Sequence, residues 1–250
     1  MSDLIELDPF RRFREVTRAR IGIGRTGDGI PTKAVLDFQL AHARARDAVH
    51  GQVDFVAMAD RLAPLPTLNL RSKASDRLTY LSRPDLGREL DESSLEDAPE
   101  GPFDVAFVIA DGLSASAVEA HAEAVLKESL ALLKGLTIAP VVLAEQARVA
   151  FGDEAAAALG ARLVVVLIGE RPGLTTPSSL GAYLTYSPRK GRLDSERNCI
   201  SNIHDDGLSH QAAAHKIDWI VREAIRLQLT GVDLKENSSD ASLLIDGADE

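Results

Sequence analysis

A carboxylate stands directly after an uninterrupted apolar run in the second half of the chain. The run covers residues 163–168 and ends at GERPG, residues 169–173, where the proline lacks an amide donor and the glycines allow a sharp turn. Such a run is typical of a strand buried on both faces of a parallel sheet. Because ligands bind at the carboxyl ends of strands in open α/β sheets, Glu170 is a candidate ligand-binding carboxylate. An ion pair with Arg171 or Arg148 is the structural alternative.

Two further side chains, Cys199 and Asp111, each have a structural interpretation that needs no ligand. Cys199, the only cysteine, lies in the segment RNCISN, and a lone cysteine is commonly a small buried hydrophobe. No histidine stands in register with it, so nothing marks its thiol as a nucleophile. Asp111 follows a predicted strand and precedes Gly112, and it either orients a ligand or hydrogen-bonds within the turn. We assign no catalytic residue and no metal ligand to this chain.

Residues 22–27, GIGRTG, match the dinucleotide-binding pattern GxGxxG. That pattern requires a buried strand before it and a helix directly after its last glycine. Here only Ile21 and Ile23 are apolar nearby, and residues 28–31 separate the glycines from the next predicted helix. A nucleotide-dependent oxidoreductase is therefore an alternative function that the sequence context disfavours.

The elements that position these side chains alternate between strand and helix. Apolar runs predict five strands, at residues 104–110, 138–143, 163–168, 182–186 and 200–203. Three helices are predicted among them, over residues 114–134 with Ser114 as N-cap, 154–159, and 211–229 after the N-cap Ser209. This alternation predicts an α/β fold with a doubly wound, mostly parallel, Rossmann-like sheet.

The first hundred residues are less regular than the rest. They comprise an arginine-rich arm (1–20), a glycine-rich loop (21–31), a helix over 33–50 with Thr32 as N-cap, and short strands at 68–70 and 78–81. We accordingly divide the chain into three parts. These are an N-terminal docking region (1–100), a Rossmann-like domain (101–232) and an acidic tail predicted to be disordered (233–250).

Composition excludes several classes of protein. The chain has 250 residues, of which 45% are hydrophobic and only 4% aromatic, so its core is built from Ala, Val, Leu and Ile. A formal net charge of −10 argues against nucleic-acid binding. One cysteine cannot form an internal disulfide. No apolar stretch reaches the roughly 18–20 residues that span a membrane, and no secretory signal is recognisable, so we expect a cytoplasmic protein.

Several segments, taken together, carry a family resemblance. Beside GERPG they are LDFQLAHARARDAV (36–49), SRPDLGR (82–88), DGLS (111–114) and CISNI (199–203). They occur in the same order as in the small (light) subunit of ethanolamine ammonia-lyase, which the chain resembles over about residues 15–235. The resemblance implies a subunit of an adenosylcobalamin-dependent lyase that converts ethanolamine to acetaldehyde and ammonia by a radical mechanism. It also implies that helix 33–50 docks on a large subunit.

The resemblance implies roles for three residues and for a partner. Glu170 and Cys199 correspond to family positions that contact cobalamin, and Val149 occupies the third such position. The partner is a large subunit with a substrate-holding barrel, in a higher heteromeric assembly, and the isolated small subunit is inactive. Some cobalamin proteins use the pattern Asp-x-His-x-x-Gly to replace the lower dimethylbenzimidazole ligand of cobalt with a histidine. None of the six histidines lies in that pattern, which implies a base-on cofactor that keeps its own base on cobalt. A bacterial microcompartment is a further candidate location, and a noncatalytic interaction subunit with a vestigial cleft is the second alternative.

Overall fold

A six-stranded sheet forms the centre of the protein. The computed structural model describes residues 10–17, 19–25, 27–96 and 98–237. The strands are β1 (Thr67–Arg71), β2 (Phe103–Ala110), β3 (Val141–Glu145), β4 (Ala161–Gly169), β5 (Leu180–Tyr186) and β6 (Asn198–Ile203). Their order in the sheet is β1-β3-β2-β4-β5-β6. The first four strands in this order are parallel, whereas β5 runs antiparallel to both β4 and β6. The predicted α/β class is confirmed, and the sheet is mixed.

Helices flank and connect the strands. They are α1 (Arg11–Val16), α2 (Thr32–His50), α3 (Phe55–Leu62), α4 (Arg77–Ser82), α5 (Ala115–Ala117), α6 (Glu123–Leu132), α7 (Phe151–Ala158) and α8 (His210–Leu227). A π-helical segment, Val118–Ala122, joins α5 to α6. Ser114 and Ser209 cap α5 and α8 as predicted, because each hydroxyl accepts a hydrogen bond from an amide three residues later.

Two hydrophobic cores lie on opposite faces of the sheet. Alternate residues of β2 point to opposite sides, as the period of a strand requires. Val105, Phe107 and Ile109 belong to the core that includes α3, α6 and α8. Ala106 and Val108 belong to the core that includes α7. Because both faces are covered, the central strands are continuous apolar runs in the sequence.

Three local predictions were wrong. Residues 78–81 lie in helix α4 and not in a strand, because the Asp76 carboxylate caps the helix by accepting from the Thr79 amide at 2.8 Å. Thr32 is the first residue of α2, and Pro31 holds the N-cap position without a side-chain hydrogen bond. The strand predicted over 138–143 begins at Val141, since Pro140 has no amide hydrogen to donate to a ladder.

The N-terminal helix α2 stands largely outside the two cores. Ala48 is its only buried residue. Leu36, Phe38 and Leu40 are 58%, 46% and 53% exposed. Residues 1–9 of the predicted arm and 238–250 of the predicted tail lie outside the described residues. Within the described ranges, no helix is both long and apolar enough to cross a membrane.

Candidate functional site

Three parallel strands end side by side and create the site. β2 is followed by Asp111, β3 by the loop 146–149, and β4 by Glu170. The strand ends approach closely because two glycines leave room for backbone. A Cβ atom on Gly112 would overlap the carbonyl oxygen of Gly169, and one on Gly169 would overlap that of Ser114. Gly112 also has a φ of +59°, which favours glycine.

A cleft of about 410 Å³ opens at this edge of the sheet. Glu170, a candidate from the sequence pattern, and Val149, which only the family resemblance implied, both line it. Val149 and Tyr183 also pack against the core that includes α7, so they form an apolar wall. Glu170 supplies a hydrogen-bond acceptor at the same cleft. Because Arg148 and Arg171 also line the cleft, the arrangement suits a ligand that combines apolar surface with hydrogen-bonding groups.

The Glu170 side chain is held through one of its two oxygens. Oε2 accepts a hydrogen bond from the Ser179 hydroxyl at 2.6 Å, and the Glu170 amide donates to the Ser179 carbonyl oxygen at 2.9 Å. Among the described residues, Oε1 has no hydrogen-bond donor and no basic side chain pairs with Glu170, so the alternative ion pair with Arg148 or Arg171 is not formed. A Cβ atom on Gly181 would lie 3.1 Å from Oε1, so the missing side chain keeps that oxygen accessible.

Cys199 lies beside the cleft and does not line it. It pairs with Tyr183 across β5 and β6, and it is exposed. The alternative of a buried structural cysteine therefore does not apply. Partial desolvation by the surrounding protein raises the pKa of the thiol against the opposing hydrogen bond with Tyr183, and the nearby Glu170 carboxylate also raises it. A raised pKa disfavours the thiolate, which agrees with a contact role and not with a nucleophile.

Asp111 holds the loop that carries Val149. Asp111 is 4% exposed and does not line the cleft. Its Oδ2 accepts from the Gln146 amide at 3.0 Å, and Oδ1 accepts from the Ala147 amide at 3.1 Å. Burial raises the pKa of Asp111 to about 6, despite the opposing charge of Arg77. Of the two sequence interpretations, the geometry favours a structural role, but the amides that the carboxylate accepts from in these two hydrogen bonds belong to the loop after β3 and not to the turn at Gly112.

Sequence reasoning missed Ser179, Gly181 and Tyr183 as parts of the site. Tyr183 lies within the predicted strand 182–186, and the alternation of that strand is the signal that could have placed it beside the cleft. Ser179 carries no such signal, because its contact with Glu170 depends on the antiparallel pairing of β5 with β4. Gly181 is recognisable only when the side chains around it are known.

The glycine pattern at residues 22–27 lacks the context of a nucleotide site. In the described residues 19–25 and 27–31 no strand precedes the glycines, and α2 begins five residues after the last of them. Gly22 lies against the ring of Phe10. No group of three or more His, Cys, Asp or Glu side chains suited to a metal ion occurs in the part of the chain that the structure describes.

Fold and site together define an α/β protein with a candidate ligand cleft at the carboxyl edge of its parallel strands. Comparison with known proteins identifies the family. Residues 7–235 match the family described as ethanolamine ammonia-lyase light chain (EutC). The chain is 53% identical to the ethanolamine ammonia-lyase small subunit of Rhodopseudomonas palustris (strain BisA53), over 91% of this chain and 90% of that protein.

Two further relatives have the same description. Identity is 52% with the small subunit of Bradyrhizobium diazoefficiens, over 93% of this chain and 92% of that protein. Identity is 50% with the small subunit of Pseudomonas putida (strain GB-1), over 96% of this chain and 92% of that protein. The chain belongs to the ethanolamine ammonia-lyase small-subunit family.

Proposed function

We propose that this chain is the small subunit of an adenosylcobalamin-dependent ethanolamine ammonia-lyase and that its cleft contacts one side of the cofactor. Family membership and relatives of about 50% identity support the first part. The second part rests on one observation: Val149 and Glu170, from two different strand ends, line a single cleft. The complete enzyme converts ethanolamine to acetaldehyde and ammonia. We expect this chain to be inactive alone, since we assign it no catalytic acid, base or nucleophile.

The residues present fit the edge of a corrin ring. Corrin side chains end in amides, whose N–H groups need acceptors, and Glu170 Oε1 is an acceptor without a donor in the described residues. Val149 and Tyr183 offer apolar contact to the ring. The volume of about 410 Å³ is at the low end for small-molecule pockets, which suits one edge of a large cofactor. The remaining contacts then come from the large subunit.

Each residue has a role in binding and orientation. Glu170 accepts a charge-assisted hydrogen bond from a corrin amide, and Ser179 fixes the carboxylate for it. Val149 packs on the rim, and Cys199 extends the contact surface beside Tyr183. When bound, adenosylcobalamin supplies the radical chemistry. We expect it to keep its own base on cobalt, because no histidine stands in the replacing pattern.

Helix α2 is the proposed docking surface for the barrel-shaped large subunit in a higher heteromeric assembly. It exposes apolar side chains, including Phe38, that neither core covers. Helices on both faces of the sheet support a doubly wound, Rossmann-like description of residues 101–232. A cytoplasmic or microcompartment location is also proposed, as is a docking region over residues 1–100, which in addition supplies β1 to the sheet and α3 to one core.

Replacement of Glu170 tests the cofactor contact. In the two-subunit complex, Glu170→Ala should raise the Kd for adenosylcobalamin about ten- to hundred-fold, since charged hydrogen bonds contribute about 1.5–3 kcal/mol. Absorption titration of the co-purified complex measures the Kd. Glu128→Ala, which removes an exposed carboxylate from α6, is the matched control and should change nothing. Unchanged affinity in Glu170→Ala would remove Glu170 from the site. A complex that never retains cobalamin would favour the noncatalytic alternative.

A further inference from the structure

One arginine connects helix α2 to the loop that carries Val149. Arg77 lies at the start of α4 and is 8% exposed. Its Nε donates to the carbonyl oxygen of Val49, near the end of α2, at 2.7 Å. Its Nη1 donates to Asp111 Oδ2 at 3.5 Å. A single buried guanidinium therefore links the last turn of α2 to the Asp111 carboxylate.

Two routes lead from Arg77 to the loop 146–149. The first passes through Asp111, whose carboxylate accepts from two backbone amides of that loop. The second passes through the Tyr80 ring, which is bracketed by two guanidinium groups. The Arg77 and Arg148 Cζ atoms lie 4.7 and 4.6 Å from the ring centroid, a distance typical of cation–π contacts. Both routes end next to Val149.

We propose that Arg77 is a positioning residue that sets the loop 146–149 relative to α2, so that Val149 meets the cofactor correctly only when α2 is in place. The inference rests on the proposed function, because it concerns the same cofactor cleft. Arg77 does not line the cleft and acts through Asp111 and Tyr80. The hydrogen bond to Val49 is short, and the contact of both guanidinium groups with the Tyr80 ring adds to the longer contact with Asp111, so position can be transmitted from α2 to the loop.

Two substitutions of Arg77 should weaken cofactor binding by the assembled complex to different extents. Arg77→Met removes the charge and both hydrogen bonds while keeping much of the length, and we expect the Kd for adenosylcobalamin to rise about tenfold. Arg77→Lys keeps the charge but replaces the guanidinium fork by one nitrogen, so we expect about a threefold rise. Because Arg77 touches no reacting group, the change should appear in the KM for cobalamin more than in kcat.

A second measurement separates positioning from general stability. Amide hydrogen exchange of the complex should become faster at Gln146 and Ala147 in Arg77→Met, because the acceptor of both amides is less firmly held. Exchange at Glu170, whose amide donates to a carbonyl on another segment, should stay as in the parent complex. A merely structural role would change exchange at both places.

Glu170→Ala, measured in parallel, separates failure of this inference from failure of the proposed function. Weaker binding in Glu170→Ala with unchanged binding in both Arg77 variants would overturn the role of Arg77 and leave the cofactor cleft standing. Unchanged binding in all three variants would contradict the proposal that this cleft contacts the cofactor. If Arg77→Met does not assemble with the large subunit, the Kd of the Arg77→Lys complex for adenosylcobalamin provides the test. Failure of both to assemble would make Arg77 a requirement of the fold and overturn its role in positioning.

Discussion

The protein contains two buried arginine–aspartate pairs, Arg197–Asp153 and Arg77–Asp111, and they differ in how completely they are hydrogen-bonded. In the pair Arg197–Asp153, Arg197 Nη1 donates to both carboxylate oxygens, at 2.8 and 2.6 Å, and to the Thr185 hydroxyl at 3.0 Å. Both side chains are 2% exposed. In the pair Arg77–Asp111 the nearest contact is 3.5 Å, and Arg77 Nη2 is buried without a hydrogen-bond acceptor among the described residues.

The two pairs also connect different parts of the molecule. Arg197, which precedes β6, reaches Asp153 on helix α7 and so ties the outer strands of the sheet to a helix of the main body. Arg77 instead ties α2 to a loop of the cleft. A buried ion pair stabilises a protein only when its polar atoms are satisfied. The complete pair therefore suits a role in stability, and the incomplete pair a role in placing two elements.

The largest expected effect is on the complete pair. Arg197→Met leaves the Asp153 carboxylate buried and unpaired, and it should lower the free energy of unfolding by about 3–5 kcal/mol. Burial raises the pKa of Asp153, whereas the charge of Arg197 lowers it, so loss of the Arg197 charge is costly. Urea denaturation of the full chain measures the change. The double variant Arg197→Met/Asp153→Leu should recover part of the loss, because no charge is left unpaired. A loss below about 1 kcal/mol in Arg197→Met would contradict the stabilising role.

A smaller effect is expected in how the free energy of unfolding depends on pH, through the Asp111 carboxylate of the incomplete pair. The pKa of Asp111 is about 6 in the folded protein and 3.8 without its surroundings, so the folded state binds more protons between these values. Stability therefore falls as pH rises from about 4 to 6, by about 3 kcal/mol from this one group. In Asp111→Asn that contribution is absent, and the decrease in this window should be smaller. Urea denaturation at pH 4, 5, 6 and 7 compares the two proteins, and identical pH profiles would contradict the raised pKa.

The sequence predicts the framework of the site better than the contacts that tune it. Strand β4 and the carboxylate after it follow from one apolar run and the glycines and proline that end it. Val149 and Cys199 were placed by family resemblance, since their residue types alone carry no functional signal. Neither arginine pair was predictable, because each joins residues more than thirty positions apart through tertiary packing. The helix at 78–81 was missed because its signal is a capping aspartate two residues earlier, and the apolar residues there also fit a strand.

The smallest effect is expected at Cys199, two residues from Arg197. The raised pKa keeps the thiol protonated near neutral pH, so Cys199→Ser replaces one neutral group by another of similar size. Cobalamin affinity of the complex should fall by less than about threefold, reflecting only the added hydration of the hydroxyl.

Val149→Ala sharpens the contrast between the two regions. The substitution removes apolar contact from the loop held by the incomplete pair. We expect the affinity of the complex for cobalamin to fall about fivefold, or about 1 kcal/mol. Absorption titration and turnover of both complexes provide the test. Loss of turnover in Cys199→Ser with cobalamin still bound would mean that the sulfur takes part in the chemistry. A larger affinity loss in Cys199→Ser than in Val149→Ala would place the main contact surface on β6, beside the complete pair, and not on the loop beside the incomplete one.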